Sequence, residues 1–218
     1  MIDQLIPYIL TVPAVLIALV VHECAHGFAA YKLGDPTARN LGRLTLNPLR
    51  HLDPIGTICM IFFRFGWARP VPINARYFKK PRRDIALTAI AGPISNLLLS
   101  FIGCFLYLLI LNIRFSSFGL LYDFCYYLAL FLYLFHIINL NLALFNLIPL
   151  PPLDGSRILS YFLSPRANYA LYKHSNYYPI ILIAVFWLLS RLGISPLGFL
   201  SEFLSGLMIR LFCLLPIF

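Results

Sequence analysis

Charged residues are scarce in this chain: they make up 11% of its 218 residues, against 61% for hydrophobic residues. Soluble domains carry about 25% charged residues, so this composition excludes an ordinary soluble protein and is typical of a membrane protein. The five cysteines form no CxxC pair, and we expect free thiols and no disulfide framework. Internal repeats and low-complexity tracts are also missing from the sequence.

The charge that is present is mostly basic, with a formal net charge of +9. Eleven of the 17 basic residues fall between Lys32 and Arg83, and no polar aromatic platform is interleaved with them. Lys and Arg clusters beside apolar segments are typical of the cytoplasmic loops of membrane proteins, as the positive-inside rule describes. We therefore expect the chain to contact a lipid bilayer and to bind no nucleic acid.

The sequence contains several long apolar segments, which cover residues 5–33, 85–113, 122–148, 178–192 and 197–215. A helix needs about 20 residues to cross the hydrocarbon core of a bilayer, so at least the first three segments can span it. The first segment lacks the positive flank of a signal peptide, and we expect it to be retained. The sequence predicts an all-α polytopic membrane protein with about 4–6 transmembrane helices.

Two stretches that follow the first helix depart from this helical pattern. Residues 41–47 partly alternate apolar and polar side chains, which predicts a short β-hairpin or strand segment. Residues 55–67 form an apolar run that is short for a span and is interrupted by Arg64, so we expect a re-entrant piece. If residues 55–67 cross the bilayer instead, the basic loops would lie on opposite sides of it.

The most informative motif is His22-Glu23-Cys24-Ala25-His26, which lies within the first apolar helix. Histidines at positions i and i+4 share one helix face, so both rings can reach one metal ion while Glu23 lies beside them. Each charged group at the centre of a membrane helix costs at least about 2.5 kcal/mol, so a functional site is the default interpretation. A purely structural polar cluster is the alternative.

A third metal ligand is predicted far downstream, at Asp154. Prolines at positions 149, 151 and 152 break the third helix just before it, and such backbone is tolerated at membrane depth only where it is buried or faces a wet cavity. If residues 55–67 re-enter, Asp154 emerges at the depth of His22 and His26. Two histidines and one carboxylate are a recurring ligand set of catalytic zinc, so we expect one Zn²⁺ per chain.

Residues next to this ligand set have chemistry that suits hydrolysis. Water bound to zinc has a pKa near 7, and Glu23 can accept its proton and deliver it to a leaving amine, which indicates peptide-bond hydrolysis. Asn146 can donate to a developing oxyanion, or it can satisfy a carbonyl freed by the proline break. Among the other histidines, we expect His51 to be a surface or capping residue and His136 to pack against another polar group.

Three motifs together resemble the site-2 protease family of intramembrane zinc metalloproteases. They are His22–His26 in an early helix, Gly92-Pro93-Ile94-Ser95-Asn96 in the next, and the segment from Asn146 to Asp154-Gly155, and the resemblance covers about residues 8–160. It implies that His22, His26 and Asp154 bind zinc and that Glu23 is the catalytic base. It also places Asn146 near the scissile carbonyl. No PDZ-like or CBS domain is present, so the chain resembles the short form of the family.

The resemblance further implies regulated intramembrane proteolysis of single-pass transmembrane proteins. We expect a single integral-membrane domain over residues 1–218, with a catalytic core at about 8–160 and closing helices at about 177–217. The expected location is the cell membrane of a bacterium, with the active site near the cytoplasmic side. Alternatives are a metal-ion transporter and a non-catalytic binder of membrane segments; the oligomeric state stays open.

Overall fold

Helices make up almost all of the regular structure in the computed structural model, which describes residues 2–56, 68–113 and 119–214. Two short 3₁₀ turns, Pro48–Arg50 and Ala75–Tyr77, lie between the second and third helices. The helices are α1 (Ile2–Lys32), α2 (Thr37–Asn40), α3 (Pro81–Asn112), α4 (Leu120–Asn146), α5 (Asp154–Phe162), α6 (Pro165–Lys173), α7 (Tyr178–Arg191) and α8 (Pro196–Cys213).

Four of these helices are long and apolar enough to cross a membrane: α1 from Leu5 onward, α3, α4 and α8. Helix α7 is also apolar but has only 14 residues, which is short for a span. The prediction of an all-α integral membrane protein is therefore confirmed, and the part of the chain that the structure describes contains four such helices, against about 4–6 predicted for the whole chain. Each predicted apolar segment corresponds to one helix of the structure.

The predicted β-hairpin or strand at residues 41–47 is not confirmed, because the structure gives this segment turns and irregular backbone. Gly42 has a φ of 64°, which turns the chain sharply after α2. The carbonyl of Thr45 accepts hydrogen bonds from Cys24 Sγ and His51 Nε2 and so has no strand partner. The predicted re-entrant piece at 55–67 lies outside the described residues apart from its first two positions.

The chain forms two compact units, each assembled from separate stretches of sequence. Unit 1 consists of Met1–Ala18, Asn96–Leu144 and Pro196–Phe218. Unit 2 consists of Leu19–Ser95 and Phe145–Ser195. Helices α1, α3 and α4 each contribute residues to both units, and the His22–His26 motif lies in the part of α1 that belongs to unit 2.

Unit 1 contains a buried polar network. Asn96 Nδ2 donates to the carbonyl of Ala18 at 3.1 Å and to Asn139 Oδ1 at 2.8 Å. His136 Nε2 is 2.9 Å from Ser205 Oγ, and its Nδ1 is 2.9 Å from the carbonyl of Ser100. Hydrogen bonds of this kind between membrane helices satisfy polar groups that lipid cannot solvate, and they join α3, α4 and α8.

Unit 2 is organised around the loop that follows α1. Asp35 is fully buried, its Oδ1 accepts a hydrogen bond from the backbone N–H of Thr37, and its Oδ2 accepts one from the N–H of Asn74. One carboxylate therefore links the backbone at the beginning of α2 to the segment that leads to α3. This arrangement holds the C-terminal half of α1 beside the beginning of α3.

Candidate active site

Two imidazoles and one carboxylate meet at the centre of unit 2. His22 Nε2 and His26 Nε2 are 3.0 Å apart, and each is 3.1 Å from Asp154 Oδ2. The side chains are buried, with residue exposures of 5%, 6% and 8% respectively. The structure therefore brings together the three residues that the sequence predicts as metal ligands.

Helical geometry accounts for the positions of the two histidines. They lie on consecutive turns of α1, with ring centroids 4.6 Å apart and ring planes nearly perpendicular. His26 Nδ1 is 2.7 Å from the carbonyl oxygen of Thr88 on α3. Because a carbonyl can only accept, Nδ1 of His26 carries a proton, and Nε2 is the ring nitrogen that faces the site. In the neutral ring this nitrogen has the lone pair that a metal ion needs.

Asp154 reaches the histidines because the chain turns back sharply after α4. The proline-rich segment ends α4, and α5 begins at Asp154 itself. A Cβ atom on Gly155 would lie 2.3 Å from the carbonyl oxygen of Leu147 and 2.5 Å from that of Ile148. Only glycine fits this close backbone approach, so the Asp-Gly pair is needed to deliver the carboxylate.

A second glycine allows α3 to approach the histidine rings. A Cβ atom on Gly92 would lie 2.5 Å from His26 Nε2 and 2.6 Å from His22 Cε1. The sequence pattern already suggests a close helix contact at Gly92-Pro93, and the structure shows that the contact is with the predicted ligands themselves.

The chemistry of the three converging atoms fits a cation. Asp154 Oδ2 and the lone pair of His26 Nε2 are both acceptors, and each lies about one hydrogen-bond length from His22 Nε2. Burial alone would raise the pKa of the Asp154 carboxyl, but hydrogen bonds that protonated His22 and His26 donate to it in the metal-free protein outweigh this effect, so its pKa is well below the usual range. The carboxylate is therefore ionised at neutral pH and faces two ring nitrogens, an arrangement that protons on the rings or a metal ion can balance.

Glu23 lies beside this cluster and has a single described partner. Its Oε2 accepts a hydrogen bond of 2.8 Å from the backbone N–H of Val71, in the segment that precedes α3. No side-chain pattern predicts the contacts made by Val71 and Thr88, because each is made by a backbone atom. The only available signal is the pair of prolines on either side of Val71, which leaves one N–H in that stretch.

The remaining predicted residues have different outcomes. Asn146 is the last residue of α4 and is half-buried, and its role near a scissile carbonyl stays a prediction. His51 was expected to be a surface or capping residue, and only the capping part is confirmed: it is the C-cap of the 3₁₀ turn Pro48–Arg50 and its N–H donates to the carbonyl of Pro48. It is not at the surface, since it is 1% exposed and its Nε2 donates to the carbonyl of Thr45. His136 is confirmed as a packing residue that bonds to Ser100 and Ser205.

The chain is similar to known proteins over most of its length. A family model described as Peptidase family M50 matches residues 124–189, a range that includes Asn146 and Asp154. "Putative zinc metalloprotease YwhC" of Bacillus subtilis is 44% identical over 197 residues, which cover 89% of this chain and 84% of that protein. The chain belongs to peptidase family M50, the site-2 protease family.

More distant relatives of this M50 chain are two mycobacterial proteins. "Putative zinc metalloprotease Rip2" of Mycobacterium tuberculosis is 27% identical over 186 residues, covering 82% of this chain and 67% of that protein. Its namesake in Mycolicibacterium smegmatis is 29% identical over 170 residues, covering 75% and 61% respectively. No solved structure matches the M50 chain significantly.

Proposed function

We propose that this M50 chain is an intramembrane zinc metalloendopeptidase that cuts single-pass membrane proteins within or near their transmembrane segments. The observation that carries the proposal is the convergence of His22, His26 and Asp154, whose acceptor atoms lie 3.0–3.1 Å apart inside a membrane protein. Membership of a peptidase family and relatives named as zinc metalloproteases support hydrolysis over metal transport or passive binding of membrane segments.

The three ligand atoms suit zinc in number, type and spacing. Ligand atoms at 2.0–2.1 Å around a tetrahedral zinc ion lie about 3.3 Å from one another, close to the observed separations. Zinc held by two histidines and a carboxylate activates water and polarises a carbonyl group. We assign one Zn²⁺ to this set in each chain.

The other assigned residues act on protons and charge. Glu23 follows His22 directly on α1, and we assign it the role of general base, which takes a proton from the attacking water and returns it to the leaving amine. Its hydrogen bond to Val71 occupies only Oε2, so it keeps a second carboxylate oxygen for proton transfer. We assign Asn146, at the end of α4, to the scissile carbonyl, where its amide N–H can stabilise developing negative charge.

The location of the site supports action near the cytoplasmic face of a bacterial cell membrane. His22 and His26 lie in the last third of α1, which ends at the basic residue Lys32. Helix α3 begins in a run of exposed basic residues, and Thr88, the partner of His26, lies two turns after its start. Basic residues concentrate on the cytoplasmic side of bacterial membranes, which favours this orientation.

The function can be tested by replacing Glu23 with Gln and comparing membrane-protein fragments in cells. The chain offers a matched control, since its only other glutamate, Glu202, is exposed on α8. We expect the Glu23→Gln protein to retain one zinc per chain and to accumulate uncut single-pass proteins, while Glu202→Gln behaves as wild type. The measurements are zinc content of the purified protein and quantitative proteomics of the membrane fraction.

Two results would contradict the proposal. The first is a Glu23→Gln protein that retains zinc and leaves the fragment pattern of the membrane proteome unchanged from wild type. The second is zinc flux through the wild-type protein in liposomes, undiminished by Glu23→Gln, since a transport pathway does not need a general base.

A further inference from the structure

Arg43 is a buried arginine that makes no ion pair with a carboxylate among the residues the structure describes. It is 8% exposed, and its Nη2 donates to two consecutive backbone carbonyls, that of Arg69 at 2.7 Å and that of Pro70 at 3.3 Å. A buried guanidinium that is neutralised by no direct partner is costly, so its retention at this position needs a reason.

The carbonyls that Arg43 holds lie immediately before the amide that bonds Glu23. In the stretch Pro70-Val71-Pro72 both prolines lack an N–H, so Val71 supplies the only backbone donor. That donor bonds to Glu23 Oε2 at 2.8 Å. The flanking prolines also restrict the backbone to extended conformations, so fixing the two carbonyls fixes the direction of the Val71 N–H.

The electrostatic surroundings agree with a link between Arg43 and Glu23. Burial lowers the pKa of the Arg43 guanidinium, the positive charge of Arg69 lowers it further, and the negative charge of Glu23 acts in the opposite direction. The guanidinium remains charged at neutral pH, since arginine is effectively always protonated in proteins. Arg43 therefore also places positive charge near the Glu23 carboxylate without contacting it.

We propose that Arg43 and the Val71 N–H are positioning groups that hold the Glu23 carboxylate in its working orientation. The hydrogen bonds of Arg43 fix the backbone at Arg69 and Pro70. The fixed backbone directs the N–H of Val71 towards Glu23. The inference rests on the proposed function, because it gives Glu23 the role of general base. It adds a dependence beyond the proposed metal ligands, since the bond between Glu23 and the Val71 N–H is separate from the contacts that His22, His26 and Asp154 make with one another.

The positional part of the proposal is tested without any substrate, by hydrogen exchange of the Val71 amide in the purified full chain. We expect Arg43→Gln to speed this exchange at least about tenfold, because the Val71 N–H loses its fixed direction and with it the hydrogen bond to the Glu23 carboxylate. Glu23→Ala removes the acceptor and should have a similar effect, while Glu23→Gln keeps an acceptor oxygen and should stay closer to wild type. Arg82→Gln, at an exposed position, is the control for loss of a positive charge and should change nothing.

The catalytic part is tested with Val71→Pro, which deletes the N–H, against Val71→Ala, which keeps the N–H and also shortens the side chain. The probe is a synthetic single-span peptide in detergent micelles with a fluorophore and a quencher at its two ends. We expect kcat of Val71→Pro and of Arg43→Gln to fall at least about tenfold, with KM and zinc content close to those of Val71→Ala. A merely structural role would reduce zinc content and raise KM in parallel.

The outcomes separate the two proposals. Unchanged Val71 exchange in Arg43→Gln overturns the inference, whatever the enzyme cleaves. Equal kcat values for Val71→Pro and Val71→Ala also overturn it. If the wild-type protein cleaves neither the peptide nor cellular membrane proteins, the proposed function fails, while the exchange experiment still decides whether Arg43 orients the amide that bonds Glu23.

Discussion

His26 in unit 2 and His136 in unit 1 are both buried histidines on membrane helices, but the partners of their ring nitrogens differ. His136 Nδ1 donates to the carbonyl of Ser100, and its Nε2 can accept from the hydroxyl of Ser205. His26 Nδ1 likewise donates to a carbonyl, that of Thr88, but its Nε2 faces the ring of His22 and the carboxylate of Asp154. Both ring nitrogens of His136 thus pair with neutral groups, whereas Nε2 of His26 converges with a second imidazole on one carboxylate oxygen.

This difference separates a structural polar site from a functional one. Both sites place polar groups where lipid offers no hydrogen bonds, so burial alone cannot tell them apart. A network that pairs each donor with an acceptor stabilises helix packing and needs nothing more. Two imidazoles that converge on one carboxylate require protons on the rings or a cation between them, and relatives of this M50 chain are named as zinc metalloproteases.

The largest expected effect comes from replacing the two histidines separately. His26→Gln should weaken zinc binding at least about a hundredfold and abolish proteolysis, because changes even to residues that only orient ligands cost 10–100-fold. His136→Gln should leave zinc affinity unchanged, although the loss of its bonds will lower stability. Zinc titration of both purified proteins checks the comparison, and equal zinc affinities would remove the distinction between the two sites.

A second prediction uses two glycines of α3, one facing each site. Gly92→Ala places a methyl group 2.5 Å from His26 Nε2, so it should displace the ring and weaken zinc binding about 10–100-fold. At Gly103 the nearest atom to an added methyl group is Phe135 Cδ1 at 3.0 Å, which a small shift relieves. Gly103→Ala should therefore bind zinc normally. Wild-type zinc affinity in Gly92→Ala would show that the described contact is not tight.

A smaller effect is expected at the polar network of unit 1. Ser205→Ala removes the partner of His136 Nε2 and should lower the free energy of unfolding by about 0.6–1.7 kcal/mol, as measured for hydrogen bonds between membrane helices. Ser201→Ala is the matched control on α8, because Ser201 Oγ bonds only within its own helix, to the carbonyl of Gly198. Unfolding in a denaturing detergent measures both, and equal losses would argue against a tertiary role for Ser205.

The smallest expected effect is the pH dependence of the zinc-free protein. The folded-state pKa of Asp154 is depressed, so its stabilising effect is present above the unfolded pKa of about 3.9 and is lost as pH falls below it. Thermal unfolding should show wild type losing a few degrees in Tm relative to Asp154→Asn as the pH falls from 5 towards 3. Asp123→Asn, at an exposed position of α4, should run parallel to wild type. A constant difference between wild type and Asp154→Asn would contradict the depressed pKa.

Much of the fold and of the ligand set could be predicted because both depend on local patterns. The apolar runs identify each long helix to within a few residues, since a bilayer sets the length that a span must have. Spacing along a helix places His22 beside His26 before any tertiary contact is known. The predicted strand at residues 41–47 could not be judged in this way, because the carbonyl of Thr45 bonds to side chains of Cys24 and His51 from other parts of the chain.

The sequence by itself determined the membrane class of this protein, the helix that carries two of the predicted ligands and the proline break that introduces the third. Those features follow from hydropathy and from residue spacing within one element, and both depend only on residues that are close together in the sequence. Only the tertiary structure decided that Asp154 contacts the histidines and that Val71 bonds to Glu23. It also decided that Gly92 packs against the histidine rings and that the carbonyl of Thr88 orients His26. These contacts join residues 48 to 132 positions apart in the sequence. Several are made by backbone atoms, which every residue has, so no side-chain pattern predicts them.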